Sequence, residues 1–245
     1  MPVITMLSPK GGVGKTTTAL VLATELAAEG AQVIIIDADP NFPLMKWAAL
    51  AGKPANIEVI AEIDEDQIIE TIDEARKRAE FVVVDLEGRA SARTTNALLM
   101  SNLALIPIQG SGLDADQALR AFQSVRSAAR VRERPIAYAA VLNRTPGTQR
   151  LWSRDLKAIV QNLQEAGIPM IATPLAERGA FRGLFSSGGT LATLDPAHVA
   201  SLDAAKRRAA VIEARSAVEN HPLVQKAIAI FDADLRDIKL PAQEE

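Results

Sequence analysis

"SPKGGVGKTTT", residues 8–18, places three glycines and two lysines between Lys10 and Lys15, then three threonines in a row. It follows the apolar run "VITML" (3–7) and opens a helical pattern over 15–29. A strand, a glycine-rich turn and a helix start, in that order, are the context that a phosphate-binding loop requires. Glycine removes the Cβ atoms that would keep successive backbone N–H groups from turning inward, and the helix N-terminus adds partial positive charge at the same place. Phosphates would therefore lie against Gly11, Gly12, Val13 and Gly14. Lys15 would reach the β- and γ-phosphates, Thr16 would put its hydroxyl on Mg²⁺, and Thr17 would reach the α-phosphate. The plain alternative, a glycine-rich turn with a helix cap, is disfavoured by the matching flanks on both sides.

Working outward, short apolar runs recur: "QVIIID" (32–37), "IEVIA" (57–61), "FVVVD" (81–85), "LALIPI" (103–108), "IAYAAVLN" (136–143) and "PMIATPL" (169–175). They are continuous rather than alternating, as expected of strands covered on both faces. Helical patterns lie between them at 41–51, 65–79, 91–100, 114–132 and 150–166. This alternation predicts an α/β fold with a mostly parallel twisted sheet and helices on both faces. Two more helices are expected at about 196–218 and 222–236, packed on the same domain, so that 1–245 forms one unit.

Composition narrows the function. Apolar residues make up 48% of the 245, aromatics only 4%, so the core is built from Ala, Val, Ile and Leu. The formal charge of −3 excludes a wholly basic nucleic-acid binder and leaves room only for local patches. The absence of cysteine excludes disulfides, thiolate metal sites, a cysteine nucleophile and a cysteine-held iron–sulfur cluster. No basic region precedes a long apolar core at the N-terminus and no apolar run is long enough to span a bilayer, so a cytoplasmic location is expected.

Two runs end in carboxylates. "IIIDADP" (34–40) carries Asp37 and Asp39, two residues apart and thus pointing the same way at the C-terminal edge of the sheet, where α/β proteins bind ligands. They are either site carboxylates or strand-end caps for the next helix. "FVVVDLEG" (81–88) ends in Asp85, suited to hold Mg²⁺ through a water. In "VLNR" (141–144), the Asn143 amide offers a donor and an acceptor, which suits the Watson–Crick edge of adenine; the alternative is a turn residue.

With Lys10 at its start, the loop resembles that of the deviant Walker A ATPases, the ParA/MinD superfamily, and the resemblance runs from residue 3 to about 190. It implies a P-loop NTPase that binds ATP or ADP with Mg²⁺ and dimerises with ATP. Lys10 would reach across the dimer to the partner's nucleotide and, with Lys15, stabilise charge on the transferred phosphoryl much as an arginine finger does. Asp39 would position the attacking water, while Asp37 would support the Mg²⁺ shell. The segment "ATPLAER" (172–178) would bring backbone near Pro174 to the base beside Asn143. The chain departs from the family in having Leu86 and Glu87 after Asp85, where Thr and Pro are common; Glu87 is either a second carboxylate near the phosphate or, as favoured here, a helix-start residue.

"PLAERGAFRGLFSSGGTL" (174–191) is similar to plasmid-partition and conjugative-transfer (VirC-type) members, in which an Arg-x-x-Phe helix precedes a Gly-Thr-Leu turn. The resemblance implies a slow, partner-stimulated ATP hydrolase that binds duplex DNA without sequence readout, associates with the nucleoid and serves plasmid or chromosome partition or DNA transfer, with an adaptor or cargo protein as partner. Two basic clusters would supply DNA contacts: "RAFQSVRSAARVRER" (120–134) and "KRRAAVIEAR" (206–215), the latter with Arg207, Arg208 and Arg215. The alternative for both is a solvated helical face. A membrane-cycling regulator is disfavoured, because the amphipathic tail carries Asp232, Asp234 and Asp237, which anionic lipid would repel. A nucleotide-gated positioner of a protein cargo and a phosphotransferase on a small metabolite remain as other classes.

Overall fold

The computed structural model describes residues 1–89, 91–110 and 112–194; the expected helices at 196–218 and 222–236, and with them Arg207, Arg208 and Arg215, lie outside the described residues. The strands are β1 (Val3–Met6), β2 (Val33–Ala38), β3 (Ile57–Ala61), β4 (Phe81–Leu86), β5 (Leu103–Ile108), β6 (Ala137–Thr145) and β7 (Leu175–Ala176). The helices are α1 (Lys15–Ala28), α2 (Pro43–Ala48), α3 (Ile68–Arg78), α4 (Ala92–Met100), α5 (Gly112–Val131), α6 (Arg154–Glu165) and α7 (Gly179–Ser187). The seven strands form a sheet in the order β3-β2-β4-β1-β5-β6-β7, and all the pairings are parallel.

The continuous apolar runs are explained by what covers them. Alternate residues of each strand feed opposite faces. Ile35 and Val83 pack with Leu20, Leu26, Trp47 and Leu184, so α1, α2 and α7 cover one face. Ile34, Ile36, Val82 and Val84 pack with Ile72, Leu98, Phe122 and Ile159, so α3 to α6 cover the other. β1, β2, β4 and β5 are buried at every position.

The order of strands is what builds the site. β1 lies between β4 and β5, so the turn that leaves β1 is flanked by the turns that leave both neighbours. Register aligns Met6 with Asp85, and Asp85 with Asp37, across three adjacent strand ends.

One expected strand is different. The run 169–175 does not pair as a unit: Met170 makes an isolated bridge with Ala140, and only Leu175–Ala176 forms β7. Pro169 and Pro174 lack the N–H that a continuous ladder needs.

α2 and α7 are joined by Trp47, which is 1% exposed and donates its indole Nε1–H to the Gly189 carbonyl at 3.0 Å. Trp47→Phe keeps an aromatic ring but leaves that buried carbonyl without its donor. It should lower the unfolding free energy by about 1–3 kcal/mol. Leu151→Ala, at a side chain 68% exposed, should change it by less than about 0.5 kcal/mol. Urea unfolding of the two variants checks the contrast.

Candidate functional site

Residues 8–14 leave β1 and turn into α1. Gly12 and Gly14 have φ of 76° and 97°, and Gly14 is the N-cap of α1 with no side-chain cap. By contrast α4 and α6 are capped by Ser91 and Ser153 side chains. An α-helix start with a glycine cap and no acidic residue in its first turn is suited to an external anion.

Three elements hold this loop, and sequence reading identified none of their contacts. Gln109, just past β5, donates Nε2–H to the Gly12 carbonyl at 2.8 Å. Gly88, past β4, abuts the loop so closely that a Cβ there would lie 2.9 Å from the Gly11 nitrogen and 3.0 Å from its Cα. Asn143, in β6, donates Nδ2–H to the Val13 carbonyl at 3.1 Å. The available signal was position: Gln109 and Gly88 follow the strands that flank β1, at the sheet edge where ligands bind.

Lys15 is 6% exposed, and its ammonium donates to the Lys10 carbonyl at 3.1 Å. Burial pushes the Lys15 pKa down, while the charges of Asp85, Asp39 and Glu87 push it back up. Asp85 is completely buried, and neither of its oxygens has a hydrogen-bond partner. Burial raises its pKa from 3.8 to about 7; the nearby Thr16 hydroxyl and Lys15 oppose the shift, while Asp37 and Asp39 add to it. A buried carboxylate with two unsatisfied oxygens beside a threonine hydroxyl fits a divalent cation, and Asp85 and Thr16 are the residues that would hold it.

Asp37 is used differently. Its Oδ2 accepts the backbone N–H of Leu44 at 2.8 Å and of Met45 at 2.9 Å, and its Oδ1 lies 3.4 Å from the Asp39 nitrogen. These are the bonds of the strand-end cap, the alternative to the Mg²⁺-shell role expected for it. Burial raises its pKa against the pull of those N–H groups. Asp39 is partly exposed; its Oδ1 accepts from the Asn41 backbone and side-chain amides at 2.8 and 2.9 Å. Arg93 donates to the Ala38 carbonyl at 2.8 Å, fixing the backbone between the two aspartates. Glu87 pairs with Arg89 at 2.7 Å and does not start a helix, since α4 begins at Ala92.

Beside the loop is a cleft of about 250 Å³, with Gly14 and Thr17 on one side and Arg144, Arg178, Phe181 and Arg182 on the other. Asn143 lines it, but Pro174 does not; Ala176 to Arg178, just downstream, do. Of the first basic cluster, Arg120, Arg126, Arg130 and Arg134 are exposed, whereas Arg132 is turned inward to the Leu99 and Ser101 carbonyls and clamps the end of α4. No helix among the described residues is long and apolar enough to cross a membrane.

The Asp85 environment gives a pH dependence. A carboxyl whose folded pKa is raised holds its proton longer in the folded state, so its contribution to stability is present below about pH 4 and is lost as pH rises through about 7. Asp85→Asn should therefore gain stability relative to the parent, without Mg²⁺ or nucleotide, by an amount that grows from about pH 4 to about pH 7 and levels off above that. A gap that does not change with pH, in urea unfolding across that series, would show that the carboxyl is not in a dry site.

Three comparisons bear on this arrangement. The chain is 38% identical over 191 residues to the protein ParA of Rhizobium radiobacter, covering 78% of this chain and 85% of that one. It is 30% identical over 193 residues to protein virC1 of Rhizobium rhizogenes, covering 77% and 82%. The fold matches that of an ATP complex of a Cyanothece McdA variant with a TM-score of 0.71 at 16% identity, covering 99% of both chains. The model of the VirC1 protein family matches residues 1–233, and the chain belongs to that family, in the VirC-type branch of the ParA/MinD superfamily.

Proposed function

We propose that this chain is an ATP-dependent switch, a ParA-type ATPase acting in DNA partition or transfer. The observation that carries the reading is the buried, unpaired Asp85 carboxylate facing Thr16 and Lys15 beside a glycine loop. The nucleotide's phosphates lie against Gly11 to Gly14 and the N-terminus of α1, and its base lies in the cleft against Phe181. Thr16 and Asp85 would hold Mg²⁺, which would neutralise charge on the phosphates. Lys15 leaves the Lys10 carbonyl for the β- and γ-phosphate oxygens. Asp39 accepts a hydrogen bond from the attacking water; the oxygen of that water forms a bond to the γ-phosphorus as the bond to the ADP oxygen breaks. Lys10 of one copy faces the nucleotide of the other, so that two copies associate when ATP is bound.

The described residues form one domain around a single seven-stranded sheet. The ATP-bound dimer binds duplex DNA without reading sequence, through the exposed arginines of α5 and through Arg207, Arg208 and Arg215, and hydrolysis stimulated by an adaptor protein releases it. The names of the ParA and virC1 relatives support the assignment to partition or transfer.

Lys15→Ala should abolish ATP binding in calorimetry. Asp39→Ala should bind ATP as the parent does and lower kcat by about a hundredfold or more; normal turnover would remove Asp39 from the mechanism. Binding to random-sequence duplex should need ATP and weaken steeply with salt. Absence of binding with ATP, with ADP and without nucleotide would redirect the reading to a protein cargo.

A further inference from the structure

We propose that Asn143 and Gln109 are positioning residues of the phosphate loop, and that the Asn143 amide sets the loop's backbone. The inference rests on the reading that the loop holds nucleotide phosphates.

Asn143 is 5% exposed. Its Nδ2 donates to the Val13 carbonyl at 3.1 Å and lies 3.4 Å from the Gly14 carbonyl and 3.3 Å from Thr18 Oγ1. Thr18 Oγ1 in turn donates to the Gly14 carbonyl at 2.8 Å, so its lone pairs face Asn143. The amide's Oδ1 accepts the Arg144 backbone N–H at 3.1 Å. Adenine recognition needs a donor and an acceptor presented together along one edge. Here Nδ2 faces the loop, and Oδ1 uses one of its two lone pairs on the chain's own backbone.

Gln109 completes the pattern through the Gly12 carbonyl. The carbonyls of residues 12 and 13 thus both point to side-chain amides delivered from the ends of β5 and β6. A trans peptide unit directs its N–H opposite to its C=O. Holding the carbonyls of Gly12 and Val13 on the amide side therefore turns the N–H groups of Val13 and Gly14 the other way, the orientation an anion nest needs. Gly14 is tied to this arrangement by space as well as by φ, because a Cβ there would overlap Asn143 Nδ2.

The test compares the parent with Asn143→Ala, Gln109→Met, Gly14→Ala and Gly14→Ala/Asn143→Ala. Affinities for ATP and GTP are measured, and amide hydrogen exchange is followed over residues 11–17 without nucleotide. Asn143→Ala and Gln109→Met should each weaken ATP and GTP by the same factor, about tenfold, and speed exchange of the loop amides about as much. Gly14→Ala should be worse, and Asn143→Ala in the same chain should recover part of the loss by making room for the added methyl. Gln109 is at the surface, so Gln109→Met carries the test if Asn143→Ala does not fold. A changed ATP-to-GTP ratio with unchanged loop exchange would make Asn143 a base reader and overturn the inference, as would no change in either. If the parent binds no nucleotide, the proposed function fails, and loop exchange in the variants still decides the positioning role.

Discussion

Asp85 ends a strand buried on both faces, and neither of its oxygens is hydrogen-bonded. Such a group costs several kcal/mol when ionised unless a charge arrives to meet it. Much of the site's architecture is organised around that cost. Parallel register brings Asp37 level with Asp85, so two carboxylates share a dry edge. Asp37 is relieved by two backbone N–H groups of α2, whereas Asp85 is left to Thr16, Lys15 and whatever the loop binds. Lys15 is held down by the same burial that raises Asp85. An oppositely charged pair kept apart and poorly solvated is a site waiting for a ligand that carries both signs, and a magnesium-bound polyphosphate does.

The two ends of the site are also joined mechanically. Asp37 caps α2, Trp47 of α2 holds the Gly189 carbonyl, and α7, just before Gly189, forms a wall of the cleft. A six-residue helix thus connects the strand-end carboxylates to the wall of the cleft.

The sheet and the phosphate loop were legible in the sequence because their signals are local. Strands covered on both faces must be apolar throughout, and "GGVGKT" carries its own strand and helix. Contacts made between strand ends were not legible, because they depend on sheet order. Nothing in the segment around Gln109 announces a bond to Gly12, and the chemistry of an asparagine does not say which way its amide faces. Asp37 illustrates the same limit: its bonds to the backbone of α2 depend on where that helix lies, which the sequence does not state. The shortened β7 follows from prolines visible in the sequence, whose effect on the ladder outweighs the apolar pattern around them.

The central placement of β1 has a consequence for synthesis. Its loop leaves the ribosome early, yet the Gln109 and Asn143 contacts lie 97 and 130 residues downstream. At about 5–20 residues per second, the last of these is made roughly 6–26 s after Val13. Early in that interval β1 lacks both neighbours in the sheet, β4 and β5 then emerge, and the Asn143 contact is the last to form. The contacts that hold the loop are thus completed only after most of the sheet has been synthesised.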